Sequence, residues 1–145
     1  MKKAIIILIA LNFLAVACED KGTLSVFYIK NVSSHSVKLT IFNAELQSLG
    51  TYKDTTYIIP IQSEINNSVL MKGNDDYSYF PFGGSADSSY IIFDDSLRIV
   101  YKRDDLNNRN ILLTKNFTGG GKKKGLFEYY YTITDEDFQV SKKIQ

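Results

Sequence analysis

Residues 89–102 read SYIIFDDSLRIVYK, Ser89 to Lys102. Two apolar, β-branched and aromatic runs, Tyr90–Phe93 and Leu97–Tyr101, flank Asp94-Asp95-Ser96. Valine, isoleucine, tyrosine and phenylalanine suit a pleated, half-buried surface. Aspartate and serine favour turns through their short polar side chains. This spacing predicts a hairpin, and it sets the fold class: short strands joined by turns.

The same pattern extends outward on both sides. In SVKLTIF, Ser36–Phe42, the apolar Val37, Leu39 and Ile41 alternate with Lys38 and Thr40. A period of two marks a strand with one buried face. LSVFYIK, Leu24–Lys30, reads as another strand, and the turn Asn31–His35 between them predicts a hairpin with a five-residue loop. TTYIIPI, Thr55–Ile61, is a strand at a sheet edge or ending there, because Pro60 has no N–H for a ladder. Ser68–Met71 reads as a short strand, and Tyr77–Gly84 as extended with an aromatic alternation. Ile111–Leu113 is a short strand or a helical turn packed on the core. LFEYYYTIT, Leu126–Thr134, is the last long strand. Thr134 followed by Asp135-Glu136-Asp137 is a helix start, with a threonine cap and acids in the first turn. The reading is an all-β, antiparallel β-sandwich of about seven strands over residues 24–145, closed by a short C-terminal helix.

The N-terminus has another character. Met1-Lys2-Lys3 precedes the apolar run 4–14, AIIILIALNFL. A spanning helix needs about 20 apolar residues, so this run is a secretory signal in type. Ala15-Val16-Ala17-Cys18 follows, and Cys18 is the only cysteine. This stretch resembles the bacterial lipobox, with Ala15 where leucine is usual. The resemblance implies a signal-peptide helix over residues 1–17, cleavage before Cys18, acyl chains on Cys18, and a linker over 18–23. Two or more chains would make a lasting membrane anchor without a spanning segment. An ordinary secretory peptide cut after Ala17 and an uncleaved anchor helix are the competing readings. Glu19-Asp20 resembles the acidic export signal of Bacteroidetes lipoproteins, which implies the outer membrane and the cell surface; inner-membrane retention, as such acids direct in enteric bacteria, and a plain solvated linker are the alternatives. Asp54-Thr55-Thr56 and Asp95-Ser96-Leu97 resemble the O-glycosylation pattern of the same bacteria, which would modify Thr55 and Ser96. Ser85–Tyr101 and Tyr129–Phe138 are similar to small Bacteroidetes outer-membrane lipoproteins with no assigned activity.

Cleavage before Cys18 leaves 128 of the 145 residues, one domain by size. Lys2 and Lys3 leave with the signal, turning 17 basic against 16 acidic residues into 15 against 16. That balance argues against a nucleic-acid partner and gives little overall pull toward anionic lipid.

Catalytic and metal-binding residues are not evident. His35, the only histidine, sits in a serine-rich turn and reads as an exposed loop residue. The acid pairs Asp75-Asp76, Asp94-Asp95 and Asp104-Asp105 fall at turns, where aspartate serves the backbone. GGGKKKG, Gly119–Gly125, lacks the spacing of a phosphate-binding loop and reads as a mobile hairpin loop. No cofactor is expected.

Aromatics are the remaining signal: ten Tyr and nine Phe, with no Trp. Tyr129 and Tyr131 point one way along a strand and Tyr130 the other. Tyr77, Tyr79 and Tyr130 are candidate ligand-binding residues, because an exposed tyrosine offers flat apolar area with a polar tip. Cross-strand packing is the structural alternative. The expected function is non-enzymatic: a lipid-anchored β-sandwich binding a glycan or an envelope protein. A structural role in an envelope assembly and a carboxylate-dependent glycan hydrolase are the alternatives.

Overall fold

The computed structural model describes residues 22–43, 54–71, 82, 86–123 and 125–144. The expected extended segment Tyr77–Gly84, apart from Phe82, and the signal and linker segments through residue 21 lie outside them. The elements are β1 (Thr23–Asn31), β2 (Val37–Phe42), β3 (Thr55–Ile59), β4 (Ser63–Met71), β5 (Ser88–Phe93) and β6 (Leu97–Lys102). A 3-10 turn (Thr114–Asn116), β7 (Thr118–Lys123), β8 (Leu126–Ile133), α1 (Asp135–Val140) and β9 (Lys142–Lys143) follow. They form two sheets, one of order β4-β1-β8-β7 and one of order β3-β2-β5-β6-β9.

The period-two residues build the core. Phe27 and Ile29 of β1 and Tyr131 and Ile133 of β8 are buried, as are Val37, Leu39 and Ile41 of β2 and Ile91 and Phe93 of β5. They form one cluster with Ile59, Tyr101, Ile111, Leu112 and Phe117, and Phe138 of α1 packs against it. The expected β5–β6 hairpin is present, with register from Phe93↔Leu97 to Ser88↔Lys102. Its turn is tight, with positive φ at Asp94 (46°) and Asp95 (54°), a conformation aspartate tolerates.

Four sequence expectations are corrected. β1 and β2 do not form a hairpin: they lie in different sheets, and Val32–Ser36 carries the chain across. Both strands have a buried face, so periodicity could not distinguish a hairpin from a crossing. The sandwich is not wholly antiparallel: β1 pairs in parallel with β8, from Leu24↔Leu126 to Asn31↔Ile133. Strands so distant in sequence need no turn between them, and the rule for sequential neighbours does not apply. β4 is longer than Ser68–Met71, pairing over nine residues with β1. The polar Glu64, Asn66 and Asn67 that hid its first half lie on an exposed edge strand. Finally, Gly119–Gly121 is not a mobile loop but part of β7, paired with Tyr129, Glu128 and Phe127 of β8.

Gly119 shows why glycine stands there. It has φ +135°, and an added Cβ would lie 2.1 Å from the Glu128 carbonyl oxygen. At Gly120 an added Cβ meets nothing within 4 Å. Gly119→Ala is therefore expected to cost about 2–3 kcal/mol in a denaturant titration, and Gly120→Ala about 0.5 kcal/mol or less. Equal costs would contradict this account of β7.

Candidate functional site

The inward set of each strand fixes the outward set. Because Phe27, Ile29, Tyr129 and Tyr131 face the core, Tyr28 on β1 and Tyr130 on β8 face outward on the four-stranded sheet. The parallel register places them directly opposite one another. Their rings stack with centroids 4.9 Å apart and 13° between planes. The Lys30 ammonium lies 5.0 Å from the Tyr130 centroid and 3.3 Å from Glu64 on β4. The Tyr130 hydroxyl donates to Glu128 at 3.0 Å. That bond to a carboxylate holds the Tyr130 phenol above its ordinary range.

On the far side of Tyr130 runs β7, where Thr118 is opposite Tyr130 and Gly120 opposite Glu128. Gly120 contributes no side chain, and the space above it is open. The bare Gly120 position thus lies beside an aromatic ring, a carboxylate and Thr118, whose hydroxyl donates to the Tyr130 carbonyl at 3.3 Å. Asn66 of β4 lies opposite Tyr28 on the other flank. Such a surface can offer CH–π contact and hydrogen bonds to a polyhydroxylated ligand.

The other sequence candidates fall elsewhere. Cys18, Tyr77 and Tyr79 lie outside the described residues. Thr55 opens β3, half-buried and opposite Ile41 of β2. Ser96 is exposed in the β5–β6 turn, its hydroxyl 3.4 Å from the Phe93 carbonyl oxygen. Tyr28 was missed, although the parity of Phe27 and Ile29 marks it as outward.

His35 differs from the exposed loop residue expected. Its side chain is 23% exposed, its ring stacks on Phe138 at 3.5 Å, and its Nδ1 lies 2.6 Å from Asp94 Oδ2. Asp94 also accepts from the Ser36 N–H at 2.9 Å, and Asp135 from the Ser34 N–H at 2.8 Å. His35 is thus part of a clasp that joins the β1–β2 crossing, the β5–β6 turn and α1. The loop that carries Asp104 and Asp105 has a similar internal use: Asp105 accepts from the Asn107 N–H and Asn107 from the Arg109 N–H. Among the described residues no group of three or more His, Cys, Asp or Glu could hold a metal ion.

The clasp has a pH signature. The His35 hydrogen bond holds the Asp94 carboxyl below its usual range, bonds from Ser34 do so for Asp135, and a bond from Thr134 does so for Glu136. A depressed carboxyl contributes stability above its unfolded pKa, about 4, and loses it as pH falls through the lower folded value. The thermal midpoint is therefore expected to be flat down to about pH 5 and to fall below about pH 4. Asp94→Asn should blunt that fall; an unchanged slope would remove the clasp from the explanation.

In comparisons with protein-family models, curated proteins and solved structures, nothing matches this chain.

Proposed function

We propose that this chain is a lipid-anchored cell-envelope protein whose β-sandwich binds a glycan at the outer membrane surface without catalysing a reaction. The lipobox-like Ala15–Cys18 supplies the anchor, and the acids after Cys18 support the surface address. The observation that carries the binding reading is the outward Tyr28–Tyr130 stack beside the bare Gly120 position of β7. The His35, Asp94, Asp105 and Asp135 side chains are occupied in local structure, which supports a binding role over a hydrolytic one. An envelope protein is the second reading. Leu24 and Leu70, 40% and 58% exposed and opposite each other on the same outer face, favour it.

A glycan array probed with the mature chain carrying Cys18→Ser tests the first reading. Tyr130→Ala should weaken the strongest glycan signal about tenfold, the equivalent of ~1.4 kcal/mol of aromatic contact. Tyr90→Ala, on the opposite sheet, should leave it unchanged. No glycan signal, or equal binding by Tyr130→Ala, would reject the site and move the search to protein partners.

A further inference from the structure

The two outer faces of the sandwich differ in charge. On the four-stranded sheet, the outward charges among the described side chains are Lys30 and Lys123 with Glu64 and Glu128, and Lys30 pairs with Glu64. On the five-stranded sheet, the outward strand positions carry Lys38, Arg98, Lys102 and Lys142 and no acid. Lys38 is paired with Asp95 at the rim, 2.6 Å away. Arg98, Lys102 and Lys142 take part in no ion pair among the described residues. Apolar side chains stand among these cations: Ile58 is 66% exposed and Val100 42%. A cleft of about 390 Å³ opens at the β6 edge, lined by Arg98, Ile99, Val100, Val140, Lys142 and Lys143. The near-neutral composition conceals this separation, because a net charge says nothing of distribution.

We infer that the outer face of the five-stranded sheet rests on an anionic lipid surface, that of the membrane to which Cys18 is tethered. The inference rests on the proposed anchor. Cations interspersed with exposed aliphatic side chains suit anionic headgroups over an acyl boundary. The tether length agrees. From Cys18 to Thr23 is five residue steps, at most about 18 Å of chain. Thr23 lies in the four-stranded sheet, and packed sheets are about 10 Å apart. The tether can therefore pass the thickness of the sandwich but cannot carry the domain far from the headgroups. With the cationic face down, the Tyr28–Tyr130 face points away from the membrane.

The test uses the full lipidated chain in vesicles, with Cys18 occupied by lipid. An environment-sensitive fluorophore is attached through Ile58→Cys on the cationic face, or through Asn66→Cys on the opposite face. Thermal unfolding confirms that each variant is folded. In vesicles containing phosphatidylglycerol, the probe at position 58 should be shielded from an aqueous quencher about tenfold more than in phosphatidylcholine alone. The probe at position 66 should be quenched equally in both. Arg98→Glu combined with Lys102→Glu and Lys142→Glu, all away from the core, should abolish the shielding, as should raised salt. Equal quenching at positions 58 and 66, or shielding indifferent to charge reversal, overturns the inference. Flotation with phosphatidylcholine vesicles reads the anchor separately. Its loss would reject the lipid tether, while charge-dependent flotation on phosphatidylglycerol vesicles would still support the face.

Discussion

Asp137→Ala is expected to destabilise the domain by about 2–4 kcal/mol, among the largest effects of any single change outside the apolar core. The Asp137 side chain is 5% exposed and forms an ion pair with the Arg109 guanidinium. Its carboxylate accepts from Arg109 Nε at 3.0 Å, again from Arg109 Nη2, and from the Thr134 N–H at 2.9 Å. The Thr134 contact caps the first turn of a six-residue helix, which is too short to persist alone. Arg109 in turn donates to the Thr132 carbonyl at 2.7 Å and lies 4.9 Å over the Tyr131 ring. Tyr131 closes the circuit by donating to the Arg109 carbonyl at 2.6 Å, and burial pushes its phenol far above the ordinary range. Removing Asp137 leaves a half-buried guanidinium with one protein acceptor and releases α1, whose Phe138 covers the core edge. Asp137→Asn keeps the shape and one acceptor and should cost roughly half as much. Urea titration reads both. A cost below about 1 kcal/mol for Asp137→Ala would mean that α1 is held by Phe138 alone.

Asn31 carries the second large effect. Its side chain is fully buried where the chain crosses between sheets. Nδ2 donates to the carbonyls of His35 (2.8 Å), Ile59 (3.0 Å) and Pro60 (3.2 Å). Oδ1 accepts from the Ser33 N–H at 3.1 Å and the Ser33 hydroxyl at 2.7 Å. One amide thereby satisfies both the β1–β2 crossing and the β3–β4 turn. Asn31→Ala strands these partners and is expected to cost about 3 kcal/mol. Asn31→Asp is the sharper test. It would put a carboxylate oxygen against three carbonyl oxygens, which raises its folded pKa above the unfolded value of about 4. Protons bind the folded form more tightly, so this variant should gain stability relative to the parent as pH falls from 7 toward 5. A pH-independent difference between Asn31→Asp and its parent would contradict the assigned amide orientation.

Both networks show where sequence reading stops. The β5–β6 hairpin, β2 and the capped helix were legible because each rests on a local signal: alternation, a turn pair, or a threonine before acids. Asn31 looked like a turn residue, and only the crossing of β1 into a different sheet from β2 gives it buried partners. Arg109 and Asp137 lie 28 residues apart and meet only when α1 folds back on the loop after β6. β7 was hidden by its glycines, which propensity assigns to loops although Gly119 is required by the close approach of β8. The site was half legible. Tyr130 stands out by parity, but its partner Tyr28 depends on the parallel β1–β8 register, a non-local pairing that no turn announces. The cationic face was invisible to composition for the same reason: its residues are gathered from β2, β6 and β9.

The proposed membrane attachment of the chain depends on Cys18. Metabolic labelling in the native host with a palmitate analogue, beside Cys18→Ala, combined with protease shaving of intact cells, tests it most directly. The account predicts label on the parent, none on Cys18→Ala, and loss of the domain on shaving. A parent chain without label would contradict the anchor, and a labelled chain fully protected from protease would contradict display at the cell surface.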